Sequence, residues 1–119
     1  MTPPLMRLRA RLGRSTEDLR AEALRRRLGA WDATPIGAAP ARGTTSACGE
    51  VTALQVVPRA GAPSFEVTLD DGTGRAVMVF TGRSRVAGLD PGRAVAVSGM
   101  ARRERDRLVF VNPAYTLLA

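Results

Sequence analysis

Two adjacent carboxylates, Asp70 and Asp71, a single cysteine, Cys48, and eighteen arginines are the residues of this 119-residue chain with chemistry to offer. Histidine is absent. That removes the usual general base, the commonest metal ligand and every histidine-dependent triad. Paired carboxylates can share a proton or hold a cation, but neighbouring residues of a strand point to opposite faces. Asp70-Asp71-Gly72 also has the composition of a hairpin turn, in which Asp-Gly supplies the positive φ a tight turn needs. Gly72-Thr73-Gly74 has no helix behind it to present amides to a phosphate. Cys48 has no second cysteine to pair with and reads as a buried strand residue. One cysteine in the whole chain suits a reducing cytoplasm. No catalytic residue, metal or cofactor is expected.

The arginines carry the stronger signal. Every basic residue is arginine, and the formal net charge is +7. A GC-rich coding sequence favours arginine over lysine, which accounts for the missing lysine but leaves the surplus over acids unexplained. Such a surplus is an argument about polyanionic partners, and the guanidinium fork matches phosphate geometry. No apolar run reaches the ~20 residues of a membrane span. The first fifteen residues lack the continuous apolar stretch of an export signal. A soluble cytoplasmic protein is expected.

The elements that must position these residues fall into three stretches. Residues 1–31 read as a helical extension. Pro3-Pro4 opens a short helix with Leu5, Leu8 and Leu12, and Ser15-Thr16-Glu17-Asp18 caps a second. Leu19, Leu24 and Leu28 form an apolar stripe on that second helix, opposite Arg20, Arg25, Arg26 and Arg27. Residues 32–45 read as a linker rich in Ala, Pro and Gly. Residues 46–119 read as a mainly β domain with strands over 49–57, 64–70, 75–81, 94–100 and 108–111. The second strand alternates Phe65, Val67 and Leu69 with Glu66, Thr68 and Asp70. Asn112-Pro113 ends the fifth. Five strands at these spacings suit a small closed barrel.

Three pieces resemble OB-fold domains. Phe65-Glu66-Val67-Thr68-Leu69-Asp70-Asp71-Gly72-Thr73-Gly74 is similar to their strand-two-to-three signature. Gly92-Arg93-Ala94-Val95-Ala96-Val97-Ser98-Gly99 resembles their fourth strand, where glycine permits a bend. Gly49-Glu50-Val51 opens the first strand as theirs often opens. The likeness is to the wedge domain of RecG-type helicases and to anticodon-binding domains. With Thr81-Gly82-Arg83 and Asn112-Pro113-Ala114-Tyr115, the whole chain resembles a family of small actinobacterial OB-fold nucleic-acid-binding proteins.

The resemblance implies a site for single-stranded DNA or RNA across strands two and three, between the loops joining strands one to two and four to five. Arg59 is expected in the first of those loops, and Arg102, Arg103, Arg105 and Arg107 in the second. Arg75, Arg83 and Arg85 flank strand three. Phe80 is the candidate stacking platform, although it shares a face with Ala76 and Met78 while Val77 and Val79 share the other. Both faces of strand three are therefore apolar, and one must turn outward. That face is either a nucleic-acid platform or a docking surface. The leucine stripe of the N-terminal helices is expected to pack across it, which leaves a protein-interaction module as the alternative function. A basic amphipathic segment could also lie on an anionic membrane, but Leu5, Leu8 and Leu12 offer little for insertion. The chain is expected to be a monomer or a dimer.

Overall fold

A computed structural model describes residues 33–118 and the isolated position Leu19. The rest of the expected helical extension lies outside the described residues, Leu24 and Leu28 included. Leu19, expected to pack, is 57% exposed.

One 3-10 turn, η1 (Ile36–Ala38), precedes six strands: β1 (Arg42–Arg59), β2 (Ala62–Asp70), β3 (Arg75–Thr81), β4 (Ala94–Glu104), β5 (Arg107–Val111) and β6 (Ala114–Leu117). They form one sheet in the order β1-β2-β3-β5-β4-β6, and an additional β1–β4 pairing closes five of the strands into a ring. All pairings are antiparallel except β3–β5, which is parallel.

The ring closes because β1 serves two partners. Its first half pairs with β4, from Arg42↔Arg102 to Glu50↔Ala94. Its second half pairs with β2, from Glu50↔Asp70 to Arg59↔Ala62. Two features let the strand cross from one to the other. A Cβ at Gly49 would lie 2.9 Å from the Leu69 Cβ, so only glycine fits there. Beyond it the register shifts between Val51 and Ala53, where Thr52 is the extra residue of a bulge. On β4, Gly99 has a φ of 151°, one that side chains rarely adopt.

The interior of the ring is one apolar cluster that includes Val67, Leu69, Met78, Leu108 and Phe110. Val86 and Leu89, from the connection between β3 and β4, join it, as does Ile36 of η1. Ile36 is wholly buried, and the Thr34 amide donates to the Ser46 carbonyl at 2.8 Å. The segment read as a linker thus supplies a core residue, and β1 begins within it. Pro113 does end β5, as its missing N–H requires. Asn112, at φ 47°, then turns the chain back, and β6 adds to β4 from Val95↔Leu117 to Ser98↔Ala114. The described residues therefore form six strands, with five in the ring.

Candidate nucleic-acid interface

Strand alternation and the parallel β3–β5 register decide which residues share the outer face of the ring. Ala76, Met78 and Phe80 turn inward with Phe65, Val67 and Leu69. Val77 and Val79 turn outward and meet Val109 of β5 in a second, smaller apolar cluster. Register then sets out two cross-strand rows. One runs Thr68, Val77, Val109, Arg102. The other runs Asp70, Arg75, Arg107, Glu104. A valine floor with a charged border results.

Two hollows lie over this floor. The larger, of about 910 Å³, is lined by Thr68, Arg75, Val77, Arg107 and the β4–β5 turn residues Arg105 and Asp106, with Glu104. The smaller, of about 320 Å³, has Val77, Val79, Val109 and Val111 as its floor and Arg102, Arg107, Glu66 and Glu104 among its walls. Together they follow the outer side of β2, β3, β5 and β4.

The arginines around this groove are not equivalent. Arg102 Nη2 lies 2.7 Å from Glu104 Oε1, and Arg75 Nε lies 3.9 Å from Asp70 Oδ2. Arg105 and Arg107 make no ion pair among the described residues. Arg105, at φ 58°, is the turn residue that lets β4 double back into β5. Arg75 and Arg107 stand directly opposite one another in the parallel register. Two like charges so placed repel, and an anion between them would relieve the repulsion.

Other expected site residues lie elsewhere. Arg103 follows Arg102 on β4 and so points to the opposite side. Its guanidinium donates to the carbonyls of Ile36 at 2.8 Å and Ala39 at 3.2 Å, which pins η1 beneath the ring. Phe80 is buried, and its ring meets Tyr115 edge-on, with centroids 5.6 Å apart and planes at 80°. It offers no exposed face to a base. Arg59 ends β1 at the tip of the β1–β2 hairpin. Arg83 and Arg85 are exposed on the connection after β3, which leaves from the same end of the sheet, where the Gly82 amide donates to Pro63. These three stand at the opposite end of the groove from Arg105.

The paired carboxylates divide as alternation requires. Asp70 faces the groove. Asp71 is buried, and its Oδ1 accepts from the Thr73 amide, the Thr73 hydroxyl and the Gly74 amide, while Oδ2 accepts from the Ile36 amide. Asp70 Oδ1 accepts from the Gly72 amide at 2.7 Å. Three successive amides of the turn are therefore taken up by carboxylates instead of facing an incoming phosphate. Among the described residues no cluster of three or more His, Cys, Asp or Glu side chains could hold a metal. Cys48 is buried, and burial first, then the nearby Asp71 charge, pushes its thiol pKa upward. A thiol so placed is a poor nucleophile.

Thr68 and Val109 were not among the expected site residues, whereas Val77 and Val79 formed one of the two faces of strand three, of which one was expected to turn outward. The alternation of β2 marks Thr68 as facing away from Phe65 and Val67, which is signal enough in principle. The floor depends on the parallel β3–β5 pairing, for which the sequence carries no local mark. No family model matches this chain, and no curated protein matches it either.

Proposed function

We propose that the five-strand ring is an OB-type barrel and that the chain is a non-enzymatic, cytoplasmic protein binding single-stranded DNA or RNA. The site is the outer face of β2, β3, β5 and β4. Its strand order, with β3 and β5 parallel and β1 closing on β4, supports the OB reading. Arg105 and Arg107, unpaired among the described residues and set beside Arg75 over the valine floor, carry the functional one. Phosphates engage these guanidiniums, while Val77, Val79 and Val109 lie buried beneath the groove and add little contact area. With no exposed aromatic ring on the floor, stacking adds little, and binding discriminates poorly between sequences.

The test is a salt titration of binding to matched single-stranded DNA, single-stranded RNA, duplex DNA and heparin. Log affinity should fall against log salt with a slope of about −0.7 per phosphate contact on a single strand. Arg105→Ala with Arg107→Ala should lower affinity and flatten that slope while leaving the melting temperature within a few degrees. A flat salt response, or heparin binding equal to that of the single strands, would defeat the proposal.

Val111, 53% exposed beside the buried valines, favours a second reading, in which the same face docks a protein segment. A docked apolar segment would bind with little salt dependence, so the same titration distinguishes the two.

A further inference from the structure

Much of the second half of β1 is exposed. From Thr52 to Val56 every residue is exposed, and Leu54 and Val56 keep 37% and 49% of their surface. This stretch pairs with β2 on one side only, and among the described residues no strand pairs with its other edge. A row of backbone donors and acceptors therefore faces outward. Open edges of this kind recruit strands unless charge, proline or a bulge blocks them. Residues 51–58 carry no charge at all, in a molecule of formal net charge +7. The register shift lies before Ala53, and the proline comes only at Pro58, so both ends of the open stretch are marked and its middle is unprotected.

We infer that this edge pairs with the same edge of a second copy, antiparallel about a two-fold axis at Gln55. Three observations select a copy of the chain over another partner. The register is self-complementary: with Gln55 opposite its counterpart, Leu54 meets Val56 of the second copy, and Val56 meets its Leu54. The pairing ends where each strand places Pro58 opposite Thr52, since proline has no N–H to give. The charge argument points the same way. An acidic partner finds no cation between Val51 and Pro58, whereas two basic molecules can approach one another only along an uncharged surface.

The apolar contact is also continuous with the core. Leu54 and Val56 stand opposite the buried Val67 and Phe65 across the β1–β2 ladder, so pairing joins the edges of two cores. The contact is short, and its area falls at the low end of specific interfaces. A weak, concentration-dependent dimer is the expected state. The inference does not depend on the ligand of the groove.

Sedimentation equilibrium of the full chain over a range of concentrations gives the first readout, with mass rising from one copy toward two. High salt should favour the dimer, because it screens the repulsion between copies. Leu54→Glu with Val56→Glu should return the mass to that of one copy. Gln55→Cys in a Cys48→Ala background should form a disulfide-linked dimer on mild oxidation. Ala53→Cys in the same background should not, because the axis at Gln55 separates the two Ala53 positions by about 13 Å along the strands. A chain that stays monomeric at every concentration overturns the inference. So does a dimer that survives the glutamates, or one that crosslinks through Ala53→Cys in preference to Gln55→Cys.

Discussion

Asp71 gathers hydrogen bonds from Ile36, Thr73 and Gly74, while its neighbour Asp70 faces Arg75 on the open side of the turn. Hydrogen bonds to a charged group are worth about 1.5–3 kcal/mol each, and stranding buried donors adds to the loss. Asp71→Ala should therefore cost ~3 kcal/mol or more, read as a lower denaturant midpoint with an unchanged slope. Asp70→Ala, which loses a partly exposed pair and one turn contact, should cost only about 1 kcal/mol. Equal losses for the two would show that Asp71 does not organise the junction. Cys48 yields a second residue-scale prediction. Its raised pKa means that the native state holds the thiol proton at a pH where the unfolded chain has released it. The associated stability is complete below the unfolded thiol's value of about 8.5 and declines as pH rises past it. Native protein near neutral pH should react with a thiol reagent only slowly, and at full speed in denaturant. Fast reaction without denaturant would contradict the burial of Cys48.

At the scale of elements, the β2–β3 hairpin was legible because Phe65, Val67 and Leu69 alternate cleanly with polar residues and Asp-Gly marks the turn. The direction of β3 was not, because Ala76, Met78 and Phe80 look as apolar as Val77 and Val79. Pairing with β5 decides it, and parallel pairing joins segments that are distant in sequence. The start of β1 and all of β6 were missed for a related reason. Thr44, Thr45 and Ser46 look like loop, and Ala-Tyr-Thr-Leu is too short to read, so both become strands only through β4. Alternation likewise separates Arg102 from Arg103, which the sequence shows as a single basic cluster. That separation can be tested with two substitutions. Arg103→Ala removes the donor that holds η1, and should cost about 1–3 kcal/mol of stability while leaving the salt slope of ligand binding unchanged. Arg107→Ala should do the reverse, flattening the slope with little effect on stability. If Arg103→Ala changes the slope instead, its guanidinium reaches the ligand and the groove has been drawn on the wrong side of β4.

For the whole molecule, salt acts on two associations in opposite directions. A net charge of +7 draws a polyanion to the groove and keeps copies of the chain apart. Added salt screens both, since the Debye length shrinks from about 10 Å at 0.1 M to about 3 Å at 1 M. Single-strand binding should weaken accordingly, and the uncharged β1 edge should become easier to pair. The two can be read together by thermal unfolding, because a ligand bound only to the native state stabilises it by RT ln(1 + [L]/Kd). At low salt, a single-stranded oligonucleotide at about 100 times Kd should stabilise the fold by about 2.7 kcal/mol. At about 4–8 °C per kcal/mol for a domain of this size, that corresponds to a rise in melting temperature of about 11–22 °C. At high salt the oligonucleotide shift should vanish, and a dependence of melting temperature on protein concentration should emerge in its place. Leu54→Glu with Val56→Glu should abolish the second effect and spare the first; Arg105→Ala with Arg107→Ala should do the opposite. If either double variant removed both effects, ligand binding and self-association would share one surface, and the separation of the groove from the β1 edge would be wrong.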